Sequence, residues 1–210
     1  MSDTSEDETL KRAFLAAALP HAAFDGFSDR LMTQARTETG MDEETMARLF
    51  PDGALSLIEF YSADADARMQ VRLKEVDLTA LKIRTRIALA VKTRIAALHP
   101  HKEAARRAAA FLSLPPHAAL AAKLLYRTVD AIWRAAGDTS TDFNFYTKRG
   151  ILAGVYSTTL MRWFNDASED EAATDAFLAA RIENVMQFEK FKAAAKKRLA
   201  RFTGLFSARH

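Results

Sequence analysis

The chain contains no cysteine, which excludes disulfides and every thiolate metal site. Glycine and proline are scarce, at 7 and 5 of 210 residues, and alanine is abundant throughout. That balance favours an all-helical globular protein. No apolar run approaches the roughly 20 residues needed to span a bilayer. The opening, MSDTSEDETL, is acidic and polar and is not a secretory signal. Five histidines are present, and His99 and His101 flank Pro100, so they share no helix face. No Glu-x-x-His pair is available for a metal in a helical bundle. HExxH, a Gly-rich phosphate loop and GxSxG are all missing. The acidic run Glu169-Asp170-Glu171 reads as helix N-terminal charge rather than as a metal site. Without a catalytic constellation, cofactor or metal set, the sequence points to binding rather than catalysis.

What is present is unevenly distributed. Residues 1–80 carry 8 Lys/Arg against 16 Asp/Glu, a net of −8, and residues 81–210 carry 22 against 11, a net of +11. An acidic first part and a basic second part argue for separate tasks. The pattern divides into a disordered stretch over 1–8, a head over 9–75, a helical bundle over 76–187 and a basic tail over 188–210.

In the head, a helix from about Glu8 should stop before Pro20. Ser28 to Thr37 reads as a second helix and Asp42 to Leu49 as a short third, with Gly40 turning between them. A fourth starts at Pro51 and reaches about Gln70. Three short helices and a longer one, with FDGFS early and LFPDGALSLIEFY late, resemble the helix-turn-helix head of TetR-type repressors. The equivalent of the recognition helix departs from that family, because Asp42, Glu43 and Glu44 offer carboxylates where a phosphate backbone needs cations. No DNA partner is expected for such a head.

Longer helices follow. Leu81, Ile83, Ile87, Val91, Ile95 and Leu98 fall near one stripe, and HPH at 99–101 breaks it. A further helix runs through Arg106 to Leu112. Pro115-Pro116 opens another to about Ala136, ended by Gly137. The helix from about Phe143 to Phe164 is apolar on most sides, as a central bundle helix is. Such a helix either packs or lines a cavity. A last helix from about Asp175 carries one stripe as far as Met186.

After Gln187 the stripe changes phase. Phe188, Phe191, Ala195, Leu199, Phe202 and Phe206 follow helical steps, with Lys190, Lys197 and Arg201 roughly opposite and Lys192 and Lys196 flanking. Residues 188–210 hold seven cations and one anion, a net of +6. Phenylalanine on one face and lysine on the other is how an interfacial membrane helix is built. The other readings are docking on a partner protein and a basic tail for nucleic acid.

The most distinctive stretch is GDTSTDFNFYTKRG at 137–150. Asp142, Phe145, Tyr146 and Arg149 sit at i, i+3, i+4 and i+7, on one helix face. Aromatic and arginine side chains presented together suit a protein interface. Equally, Asp142 can cap the helix while the rings enter the core.

LKIRTRI at 81–87, KLLYRTVDAIWRAAGDTSTDFNFYTKRGILAGVYSTT at 123–159 and FLAARIENVMQF at 177–188 resemble the COQ9 family of ubiquinone-biosynthesis proteins. The resemblance implies an all-α, TetR-like helical bundle, usually dimeric and not an enzyme. The helix-turn-helix head is vestigial, and the C-terminal amphipathic helix engages a membrane. It implies an apolar pocket for isoprenoid quinone intermediates or phospholipid, with Leu124, Leu125, Trp133, Leu152, Tyr156 and Met161 as the candidate lining, and delivery to the di-iron demethoxyubiquinone hydroxylase. The docking patch carries over as Asp142, Asn144, Phe145, Tyr146 and Arg149, with Phe145 standing where eukaryotic members are expected to have tryptophan. The expected setting is a bacterial cytoplasm, at the inner face of the membrane. The rival functions are a TetR-like transcriptional regulator sensing a lipid and a lipid-directed enzyme.

Overall fold

The structure is a computed structural model that describes residues 2–138, 143–185 and 187. All of its regular elements are helical, and the chain forms two compact units, Met1–Ala153 and Gly154–His210. The residues assigned from sequence to head and early bundle, 9–75 and 76–153, fall in the first unit.

Helix α1, Ser2–Asp25, is longer than its sequence pattern suggests, and Pro20 lies inside it. The stretch 1–8 expected to be disordered is therefore helical from Ser2. Two ion pairs hold it: Arg48 meets Asp7 at 2.7 Å and Arg12 meets Glu8 at 2.9 Å. Pro20 removes one backbone donor. Against that cost, Phe14, Leu15, Ala18, Leu19 and Ala22 form a buried stripe on both sides of it. Phe14 is fully buried, with its ring 4.8 Å from that of Phe50. Phe14→Ala should lower unfolding free energy by about 3–5 kcal/mol through the cavity it leaves, readable in urea melts.

Helices α2, Asp29–Thr39, and α3, Glu43–Leu49, form the helix-turn-helix. Ser28 caps α2 by accepting from the Leu31 amide at 3.3 Å. Gly40 ends it at φ 64°, a left-handed conformation that suits glycine. Asp42 caps α3, accepting from the Thr45 amide at 2.7 Å and its hydroxyl at 2.8 Å. Those two bonds, the amide first, hold the Asp42 carboxyl below its ordinary range.

Helices α4 (Ala54–Lys74), α5 (Ile83–Ala96), α6 (Lys102–Leu112) and α7 (Ala118–Ala135) complete the first unit with the opening turns of α8, Phe143–Phe164. A buried polar knot fixes α4, α5 and α7 to one another. Arg94, 2% exposed, donates to Asp66 at 2.5 Å and to the Ser62 carbonyl at 3.2 Å. Thr128 of α7 donates to the same carboxylate at 3.0 Å. Burying these groups is tolerable because each finds a partner there.

The second unit begins inside α8. Val155, Tyr156, Thr159, Trp163 and Phe164 are buried along this half of the helix. The acidic run Glu169–Glu171, expected as a helix start, is a separate 3-10 turn in which Asp170 and Glu171 take positive φ of 51° and 57°. Helix α9 follows, described over 172–185 and at 187, with Thr174 and Leu178 buried. Asp166 organises this corner. One oxygen accepts from the Ser168 hydroxyl at 2.6 Å and amide at 2.9 Å, and the other from the Thr174 amide and hydroxyl, both at 2.6 Å. These bonds, Ser168's hydroxyl foremost, push the Asp166 carboxyl far below its usual 3.8. A carboxyl that resists protonation when folded stabilises the fold above the ordinary aspartate value, and that contribution is lost as pH falls through the folded value. Acid titration followed by Trp163 fluorescence should accordingly show an acid transition below pH 3.8 in the native chain. Asp166→Ala should flatten that dependence and lower stability at neutral pH.

Candidate functional site

The stretch singled out by sequence lies where α7 ends and α8 begins. Gly137 ends the α7 turn at φ 87°, and a β-carbon there would sit 3.3 Å from the Arg86 guanidinium. Asp142 and residues 139–141 lie outside the described residues, and Asn144 is described only as helical backbone. The remaining three members of the expected patch, Phe145, Tyr146 and Arg149, have different places.

Tyr146 is an outward-facing aromatic, 69% exposed. Arg149 is buried at 5% exposure. Its Nε donates to Asp130 at 2.8 Å, and Nη2 lies 2.7 Å from the same oxygen. Nη1 donates to Asp138 and to the Phe145 carbonyl, each at 3.3 Å. The guanidinium carbon lies 3.3 Å from the centroid of the Phe145 ring, a cation–π stack. Phe145 in turn meets Tyr146 edge to face at 5.1 Å. Helical spacing put these side chains on one face, but Tyr146 points outward from it while Arg149 points inward to two carboxylates of α7 and its turn.

Lys148 reinforces the same staple. Its ammonium lies 2.8 Å from Asp138 and 5.5 Å from the Trp133 ring centroid, and its carbonyl accepts the Trp133 indole N–H at 3.2 Å. Asp130, Asp138 and Lys148 were not singled out from sequence. Acidic residues bracketing the end of α7, facing the Lys148-Arg149 pair, were the signal available. Two cations against two carboxylates tie the end of α7 to α8, and Tyr146 is exposed two residues before that pair.

The six residues expected to hold lipid divide between the units. In the first, Leu124 and Leu152 are buried, Leu125 and Trp133 are half-buried, and the Trp133 indole is committed to Lys148. In the second, Tyr156 is buried and Met161 is 51% exposed. The expected membrane residues Phe188, Phe191, Lys192, Lys196, Lys197, Leu199, Arg201, Phe202 and Phe206 lie outside the described residues. Among the described residues no group of three or more His, Asp or Glu side chains is placed to hold a metal ion, and no single helix is long and apolar enough to cross a membrane.

The COQ9 family model matches residues 118–189, the span that contains the staple and Tyr146. Over 191 residues, 88% of this chain and 60% of the relative, the chain is 35% identical to ubiquinone biosynthesis protein COQ9, mitochondrial, of Bos taurus. It is 32% identical to the Homo sapiens protein of that description, again over 88% of this chain and 60% of the relative. The chain belongs to the COQ9 family. It spans about 60% of the length of the relatives it matches. A TetR transcriptional regulator from Nitrosomonas europaea ATCC 19718 superposes with a TM-score of 0.69, covering 83% of this chain and 97% of that one. At 19% identity this likeness establishes the fold alone, a TetR-like all-α architecture.

These COQ9 relatives also overturn the expected bacterial cytoplasmic setting. Those from Bos taurus, Rattus norvegicus, Homo sapiens and Dictyostelium discoideum are described as mitochondrial. The expectation leaned on the acidic opening residues, and the start of a chain that spans part of its relatives carries no information on a leader.

Proposed function

We propose that this COQ9-family chain is a non-catalytic accessory protein of ubiquinone biosynthesis, working as a homodimer. In this reading it presents a polyprenylated quinone intermediate to a di-iron demethoxyubiquinone hydroxylase. The observation that carries the proposal is Tyr146, a tyrosine exposed near the start of α8, beside four charged side chains that pair across to α7 and its turn. Rigid, exposed aromatics supply contact area at low entropic cost, which is what hot spots require. The basic tail would hold the chain at an anionic bilayer, where isoprenoid substrates reside. Deleting 188–210 should then abolish flotation with anionic liposomes, and unchanged flotation would remove the membrane part of the proposal.

A photoreactive residue at position 146 should cross-link the hydroxylase, whereas one at Glu103 should not. Cross-linking from Glu103 alone would place the hydroxylase on another face and overturn the proposal.

A DNA-binding role is disfavoured by the electrostatics of α3. Glu43 and Glu44 are exposed on it, in a region of net −8. Such a surface repels phosphate. The purified chain should leave a duplex from its own upstream region unshifted at about 0.1 M salt. A sequence-specific shift would revive the regulator reading.

A further inference from the structure

LKIRTRI at 81–87 has no part in the docking reading, yet one of its side chains reaches the end of α7. Residues 75–82 connect α4 to α5, and Arg86 stands in the first turn of α5. Its half-buried guanidinium donates to three backbone carbonyls. Nε meets Leu81 at 2.9 Å and Nη2 meets Thr79 at 3.1 Å, both on the connector. Nη1 meets Ala136 at 3.1 Å, 50 residues further along the chain. Asp77 shapes the connector for this, accepting from the Thr79 hydroxyl at 2.6 Å and amide at 2.9 Å. Those bonds, and then the Arg86 charge, hold the Asp77 carboxyl below its ordinary range.

Ala136 is the C-terminal cap of α7. The last carbonyls of a helix lack intrahelical donors, and a cation there suits the negative end of the helix dipole. Gly137 and Asp138 meet part of that need, their amides donating to the Arg134 and Trp133 carbonyls at 3.0 Å each. Arg86 serves the cap residue itself from another element. Asp138 follows two residues after the cap, and it is the carboxylate that Lys148 and Arg149 meet, at 2.8 and 3.3 Å. Tyr146 stands two residues before that pair. The contacts therefore run from the connector through Arg86, the α7 cap and Asp138 to the start of α8.

We propose that Arg86 is a positioning residue for the Tyr146 surface, holding the α7 turn from the α4–α5 connector so that Asp138 receives the start of α8. A planar guanidinium reaches several carbonyls in fixed directions, whereas an ammonium keeps the charge without the fork. The consequence for the hydroxylase rests on the docking reading, and the hold on the turn rests on geometry alone. Arg86 acts through Tyr146 rather than by contact with the partner.

The test uses the full chain labelled with fluorotryptophan. Its two tryptophans give two fluorine resonances, assigned with Trp133→Phe. Trp133 reports the turn, because its indole N–H donates to the Lys148 carbonyl at 3.2 Å and its ring centroid lies 5.5 Å from the Lys148 ammonium. Trp163 belongs to the second unit and serves as the internal reference. Arg86→Gln should move the Trp133 resonance and leave that of Trp163 in place. Hydroxylase capture is then measured in a double-mutant cycle with Tyr146→Ala, at a temperature where circular dichroism shows every variant folded. Arg86→Gln should weaken capture about tenfold in the native background and no further beside Tyr146→Ala, the coupling of residues that act through one another. Arg86→Lys should fall between, and it carries the same cycle if Arg86→Gln melts too low. An unmoved Trp133 resonance, undiminished capture, or equal losses in both backgrounds would each overturn the proposal. Full capture by Tyr146→Ala alone would sink the docking reading instead. A moved Trp133 resonance would then still support the hold on the turn, and an unmoved one would overturn it.

Discussion

Tyr146→Ala should weaken hydroxylase capture by about 30-fold, the loss expected when a hot spot worth about 2 kcal/mol is truncated. The melting temperature should stay where it is, because a side chain 69% exposed contributes little to packing. Phe145→Ala is a different experiment. That ring lies under the Arg149 guanidinium at 3.3 Å, so its loss disturbs the staple as well as the surface. Binding and stability should fall together for Phe145→Ala and separate for Tyr146→Ala. Surface-plasmon titration beside thermal melts distinguishes the two. Undiminished capture by Tyr146→Ala would show that the exposed ring is not the contact.

Arg149→Ala should destabilise the first unit by about 3 kcal/mol or more. Removing one partner of a buried ion pair typically costs 3–5 kcal/mol, because the opposite charge is left without its counterion. Here two carboxylates lose it. The side chains of Asp130 and Asp138 are only 16% and 5% exposed, and Arg149 serves both. Asp138 keeps Lys148 at 2.8 Å and Asp130 keeps Arg134 at 2.6 Å, which places the cost toward the lower end of that range. Arg149→Lys should fall between, since an ammonium restores charge but cannot fork to two carboxylates and stack on a ring at once. Urea denaturation of the three proteins measures this directly. If Arg149→Ala lost capture with no loss of stability, Arg149 would be a contact after all and the staple would not be structural.

The helices themselves were legible. The apolar pattern from Phe143 to Phe164 matches α8 residue for residue, the Gly40 turn falls where its chemistry places it, and α3 begins one residue after the expected Asp42, which caps it. Helix α1 escaped because stop signals are local, whereas the stripe from Phe14 to Ala22 gains its burial from other helices. The separation of Arg149 from Tyr146 was hidden for a related reason. Spacing at i, i+3, i+4 and i+7 shows which residues share a helix face, but not what that face meets. Asp130 and Asp138, from another helix and its turn, decide that Arg149 points inward. The Arg86 cap on α7 joins positions 50 residues apart through a connector with no periodicity of its own. Family membership was readable from residues 123–159, whereas the cellular setting was not.

The most direct test of lipid presentation is turnover. Demethoxyubiquinone embedded in anionic vesicles is offered to the purified hydroxylase with its reductant, with and without this chain. Turnover should rise with the native chain, return to the basal rate with Tyr146→Ala, and be absent with the chain alone. A hydroxylase indifferent to the native chain, or product formed by the chain without the hydroxylase, would contradict the account.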